Sequence, residues 1–199
     1  MSAHLTSILK HGGIAVIPTD TLYGIVVRAL DKKAVQRLYR IRRKTPKKPF
    51  IILISSREDL TAFGCRPNAA ASRFLRRVWP GKVSVILPCT GKKFSYLHLG
   101  TKTLAFRLPQ SRKLRALLKK TGPLVAPSAN KEGRPPAKTT TEARKYFGGR
   151  VDLYVNGRTT RAPSTLVSLL SGTPQVIRSG AGRTSAIKKG HHRPFLRSM

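Results

Sequence analysis

Acidic residues are nearly missing from this chain. Seven Asp and Glu stand against 40 Lys and Arg in 199 residues, a formal net charge of +33 at pH 7. So few carboxylates leave most cations facing water or an anion, and they make a two-carboxylate acid–base site a poor fit. There are two cysteines, Cys65 and Cys89, in no metal-ligand spacing, and His4, His11, His98, His191 and His192 show no His–carboxylate spacing either. No metal site is therefore expected, and a reducing compartment, the cytoplasm, is the expected setting. No run of about 18 apolar residues is present, so no membrane span is expected, and residues 1–12 lack a signal-peptide pattern. No glycine-rich loop ends in Gly-Lys-Ser or Gly-Lys-Thr and no Gly-x-Gly-x-x-Gly follows a strand, which excludes the P-loop and the dinucleotide fingerprint. Chemistry on such a chain would come from positioning and electrostatic stabilisation.

What is present is an alternation of short apolar runs with helical periodicity. Strands are expected at 14–17, 50–54, 83–87, 104–108, 124–126, 151–155, 165–169 and 175–177. Their continuous apolar character suits strands covered on both faces. Ala34, Val35, Leu38 and Ile41 form one helical face after a cap at Asp31; Leu114, Leu117 and Leu118 follow Ser111; Thr139 and Glu142 have capping-box spacing; Phe74, Leu75 and Val78 mark a further helix. The fold class is α/β, in one domain over residues 1–182, followed by a basic, aperiodic tail over 183–199 that is expected to be mobile. The cations are spread along the whole chain. They read either as a polyanion-binding surface, with RNA contact, or as a solvated basic surface.

Three stretches carry chemistry. In Pro18–Gly24 an apolar run stops at a proline and opens into Thr19, Asp20, Thr21 and Tyr23, which read equally as ligand groups or as a turn satisfying its own backbone. The run Arg42–Lys48 ends a helix and reads either as dipole-favoured solvated cations or as a phosphate clamp. Ser128 and Asn130 open from another apolar run, as a strand-end ligand site or as a turn.

These pieces, in this order, resemble the YrdC-like family of threonylcarbamoyl-AMP synthases. The residues that carry the likeness are Pro18–Gly24 for Pro-Thr-Asp/Glu-Thr-x-Tyr-Gly, Arg42 and Lys44 for the basic pair, Trp79–Gly81, Arg107–Pro109, Ser128–Asn130, Pro163–Thr165 and Arg178–Gly180. The likeness covers roughly residues 8–182. It implies a twisted mixed sheet with flanking helices around a large basic cavity. It also implies synthesis of L-threonylcarbamoyladenylate from L-threonine, bicarbonate and ATP with Mg²⁺, releasing pyrophosphate, for the t6A modification at position 37 of tRNA by downstream transfer enzymes. By the same likeness Thr21, Tyr23, Arg107, Ala126 and Ser164 hold threonine, and Arg42, Lys44, Thr103, Ser128, Asn130 and Arg178 hold ATP. Arg42, Lys44, Ser128 and Asn130 would also serve catalysis. The chain is expected to be the short, single-domain bacterial form.

Four features depart from the family pattern. The basic pair is exchanged to Arg42-x-Lys44, Val26 stands where the family usually has glycine, the 50–54 strand lacks a histidine, and Ser168 stands where an acid is frequent. Two other readings compete: a structured-RNA or ribosome-precursor binding protein on the same fold, and a relative that cleaves or transfers the threonylcarbamoyl group.

Overall fold

The structure is a computed structural model that describes residues 2–42 and 49–183. Lys44 and nearly all of the 183–199 tail, with His191 and His192, lie outside the described residues. Among the described residues nine strands form one mixed sheet: β1 (Ala15–Pro18), β2 (Tyr23–Arg28), β3 (Ile51–Leu53), β4 (Val83–Pro88), β5 (Thr103–Arg107), β6 (Leu124–Val125), β7 (Leu153–Tyr154), β8 (Thr165–Ser168) and β9 (Gln175–Arg178). Their order is β7-β1-β2-β6-β3-β5-β4-β8-β9. The pairs β1/β7, β3/β5 and β4/β8 are parallel and the remainder antiparallel.

All eight expected strands form, with ends shifted by a few residues. The ninth, β2, was not expected, because Tyr23 and Gly24 read as the end of a polar loop. They instead open a strand paired with β1 from Pro18↔Tyr23 to Ala15↔Val26.

Alternation along the strands explains the continuous apolar runs. Ile14, Val16, Ile25, Val27, Ile52 and Val125 enter one buried cluster, while Ala15, Ile17, Val26, Leu53 and Leu124 enter another. Successive side chains point to opposite faces, and both faces are covered. Val26 is fully buried in the second cluster, so the side chain that replaces the family's glycine is a core residue here.

Among the described residues six α-helices flank the sheet: α1 (Ala3–Lys10), α2 (Lys32–Arg42), α3 (Ala69–Val78), α4 (Ser95–His98), α5 (Arg112–Thr121) and α6 (Thr140–Phe147). The second cluster is closed by Leu5 and Leu9 of α1 and by Leu114, Leu117 and Leu118 of α5. The expected caps are present. Asp31 Oδ1 accepts from Ala34 N at 2.9 Å, Ser111 Oγ from Leu114 N at 3.3 Å, and Thr139 Oγ1 from Glu142 N at 3.1 Å. Glu142 returns its carboxylate to the Lys138 amide (2.7 Å), one position before the usual capping-box partner. Helix α1, with its Ser2 cap, carries only two buried residues, too few to show periodicity in the sequence.

Candidate functional site

The β1–β2 connection is built by its own hydroxyls. Thr19 Oγ1 donates to Leu22 O (2.6 Å) and lies 3.0 Å from Thr21 Oγ1 and 3.2 Å from Thr21 N. Because the Thr19 proton is spent on Leu22, the Thr21 hydroxyl donates to Thr19 and offers outward only its lone pairs. Gly24 lets this turn seat against the β6 exit. A Cβ there would stand 3.2 Å from Thr19 Cγ2 and 3.5 Å from Pro127 O, while Ile25 N donates to Pro127 O (3.0 Å) and Ala129 N to Tyr23 O (2.8 Å). The Tyr23 hydroxyl is fully engaged: it donates to Gly157 O (2.7 Å) and accepts from Gly157 N (3.0 Å).

On one side of this segment stands Arg42, the last residue of α2. Its Nε donates to Asn130 O at 2.9 Å and its Nη2 to Asn130 Oδ1 at 3.3 Å. Asn130 Oδ1 also accepts from Ser128 Oγ (2.6 Å), and Asn130 Nδ2 is held by the carbonyls of Lys131 (2.8 Å) and Arg134 (2.7 Å). The amide orientation is thereby fixed from four directions. The Arg42 guanidinium also lies 5.2 Å over the Phe50 ring, which stacks on Tyr39 at 4.3 Å. Phe50 thus occupies the stretch that lacks the family's histidine. Burial lowers the Arg42 pKa to about 10, against the opposing pull of Glu132 and Tyr39. Beyond Asn130 opens a cavity of about 510 Å³ lined by Lys131, Glu132, Arg134, Pro135 and Tyr146.

A second centre gathers around Arg107, the last residue of β5, which is 3% exposed. Its Nη1 donates to Asp20 Oδ1 at 2.5 Å, and Asp20 Oδ2 accepts from Gln110 N at 2.8 Å. Burial lowers the Arg107 pKa and Asp20 works against that shift. Eighty positions apart in sequence, Ser84 of β4 and Ser164 share a buried hydrogen bond of 2.8 Å. Arg178 Nη2 donates to Ser164 O at 2.9 Å. Gly180 makes this junction fit, since a Cβ there would meet Pro163 O at 2.3 Å. The Pro-Ser-Thr and Arg-x-Gly stretches therefore meet.

Among the sequence-predicted residues, Arg42, Ser128 and Asn130 join in one network, and Ser164 and Arg178 in another. Arg107 is tied to the Thr19–Gly24 segment through Asp20. Thr103 stands at the opposite end of β5 from Arg107, and its hydroxyl bonds Thr101 (3.1 Å). Ala126 packs against the smaller apolar cluster, with its amide donating to Ile51 O at 2.9 Å. Ser168, which replaces the frequent acid, is buried and accepts from Leu170 N at 3.3 Å. Sequence reading missed Ser84, hidden in the apolar β4 run, and the partnership of Asp20 with Arg107. Among the described residues no group of three or more His, Cys, Asp or Glu is placed to hold a metal. No helix there is long and apolar enough to cross a membrane.

Two buried arginines, Arg42 and Arg107, are thus held by oxygen acceptors on one mixed α/β sheet. The chain belongs to the Sua5/YciO/YrdC family, whose model, described as "Telomere recombination", matches residues 7–180. It is 34% identical over 171 residues to the threonylcarbamoyl-AMP synthase of Thiobacillus denitrificans, covering 84% of this chain and 90% of that protein. It is 29% identical to the threonylcarbamoyl-AMP synthase of Pyrococcus abyssi over 91% of this chain, but spans only 54% of that longer protein. Among solved structures it resembles P. abyssi Sua5 complexed with L-threonine (TM-score 0.82, 28% identity, 89% of this chain and 53% of that one). It also resembles E. coli YciO (TM-score 0.81, 27% identity, 97% and 91%).

Proposed function

We propose that this chain is an L-threonylcarbamoyladenylate synthase. It would join L-threonine, bicarbonate and ATP, release pyrophosphate, and supply downstream transfer enzymes with the activated group for tRNA t6A modification in the cytoplasm. The observation that carries this reading is that two buried arginines, Arg42 and Arg107, are both tied to the Asp20–Gly24 segment. Arg42 reaches it through Asn130, Ser128 and the isolated bridge Gly24↔Ser128, and Arg107 reaches it through Asp20. Such an arrangement brings two anion-binding groups to one hairpin. It suits a reaction that joins a carboxylate to a phosphate. The names of the relatives support the same reading and do not favour the RNA-binding alternative.

In the adenylation step an oxygen of N-carboxylated threonine attacks the α-phosphorus of ATP. The new O–P bond forms as the bond to the β-phosphate oxygen breaks, and its electron pair leaves with pyrophosphate. Arg42 stabilises the charge gathering on the phosphate oxygens, with Ser128 and Asn130 fixing its orientation and Lys44 and Arg178 adding positive charge. Thr103 is read as an ATP contact from the opposite end of β5. Arg107 receives the threonine carboxylate, with Thr21 offering lone pairs to a donor on the substrate, and Tyr23, Ala126 and Ser164 shaping the same site. Mg²⁺ is read as entering with ATP, held chiefly by the phosphates as part of the substrate. The cavity beside Asn130, with Lys131 and Arg134 on its wall, is read as room for the nucleotide.

The test is pyrophosphate release from ATP and bicarbonate with and without L-threonine. Threonine-dependent release is expected; its absence from a folded, ATP-binding protein contradicts the reading.

A further inference from the structure

Asp20 does more than a turn requires. Asx residues in turns usually accept from the backbone a residue or two onward. Here Asp20 spends one carboxylate oxygen on Arg107 Nη1 (2.5 Å) and the other on the Gln110 amide (2.8 Å), some 90 positions away. Its own carbonyl accepts from Thr160 Oγ1 at 3.3 Å, so two separate segments, residues 107–110 and Thr160, converge on one residue. The pair is nearly dry, with side-chain exposures of 4% for Arg107 and 9% for Asp20. The other ion pair among the described residues, Arg37–Asp152, is far more open at 40% and 37%.

The way Arg107 is held matters. A guanidinium presents an end-on edge, Nη1 with Nη2, and a side-on edge, Nε with Nη2. Asp20 takes one proton of Nη1. Among the described residues Nε is buried with no hydrogen-bond partner. A buried donor left unpaired is costly, and a carboxylate accepting on the side-on edge would satisfy it with paired, charge-assisted bonds.

We propose that Asp20 is a positioning residue for the amino-acid substrate: it clamps Arg107 through Nη1 so that the Nε/Nη2 edge is fixed toward the substrate's carboxylate. This rests on the synthase reading for the identity of the substrate, but the clamp itself is testable without turnover. Freed of Asp20, a buried arginine loses its counter-ion and relaxes toward water, which removes the preorganised edge.

The experiment compares Asp20→Asn and Asp20→Glu with the parent chain. Phenylglyoxal modification of Arg107, followed by peptide mass spectrometry, reads the arginine directly. Asp20→Asn is expected to speed that modification by about tenfold or more, while Asp20→Glu, which keeps the charge, stays near the parent rate. In steady-state pyrophosphate release, Asp20→Asn is expected to raise KM for L-threonine about tenfold with KM for ATP changed by less than about twofold. Asp20→Glu shifts the carboxylate by one methylene, and is expected to raise KM for L-threonine alone, by a few-fold. An unchanged Arg107 modification rate in folded Asp20→Asn overturns the proposal, as does a parallel rise of both KM values. Should Asp20→Asn fail to fold, an unaltered threonine KM in Asp20→Glu overturns it equally. A parent chain without threonine-dependent release defeats the synthase reading alone, and the phenylglyoxal comparison still decides whether Asp20 holds Arg107.

Discussion

Arg42 donates from Nε to the Asn130 carbonyl across 88 positions of sequence, and the same Asn130 accepts the Ser128 hydroxyl on its side-chain oxygen. The cation that ends α2 and the Ser-Ala-Asn turn after β6 are therefore one unit. Asn130→Ala would leave the Arg42 Nη2 and Ser128 Oγ donors without their acceptor. The expected cost is about 1–3 kcal/mol of stability in chemical denaturation, with ATP affinity down about tenfold by calorimetry.

Tyr23 makes a different kind of link. Its hydroxyl closes a two-way hydrogen bond with the Gly157 backbone, so Tyr23→Phe leaves both a donor and an acceptor unpaired. A loss of about 1–2 kcal/mol is expected. Faster amide exchange at Gly157, read by hydrogen-exchange mass spectrometry, distinguishes this clamp from a role confined to the substrate.

Ser84 has no counterpart in the motifs, yet its hydroxyl lies 2.8 Å from Ser164 in a dry setting. Ser84→Ala is expected to cost about 1–2 kcal/mol and to raise KM for L-threonine while leaving KM for ATP in place. Steady-state kinetics with each substrate varied checks the split.

The motifs were legible in the sequence because each pairs small polar residues with a strand end. Eight strands were legible from their apolar runs. What remained hidden depends on contacts distant in sequence. Asp20 looks like a turn residue until β5 brings Arg107 beside it. Ser84 is silent because a buried serine inside Val83–Leu87 does not break an apolar pattern. Strand β2 was obscured because Tyr23 and Gly24 also suit a ligand loop, and the Ile25–Val27 run behind them was absorbed into that reading. No local signal marks Tyr23 as a clamp, since its partner is backbone 134 positions onward.

The two cysteines supply a test independent of function. Both are buried, and burial raises the Cys65 thiol to about 12, with Cys89 adding to the shift. In the unfolded chain a thiol ionises near about 8.5. The native state therefore holds its proton longer, so this contribution to stability is complete below about 8.5 and is lost as pH rises toward 12. Native protein at mildly alkaline pH is expected to resist a disulfide-exchange reagent such as DTNB, and both thiols should react once guanidinium unfolds it. Rapid labelling of the folded chain would contradict the buried placement.

In the proposed synthase two buried arginines divide the labour, Arg42 serving the nucleotide and Arg107 the amino acid. The most direct measurement is KM for ATP and for L-threonine in Arg42→Lys and Arg107→Lys, each of which keeps the charge and loses the planar fork. Arg42→Lys is expected to raise KM for ATP about tenfold with that for threonine little changed, and Arg107→Lys to do the reverse. Equal effects of either substitution on both constants would contradict it.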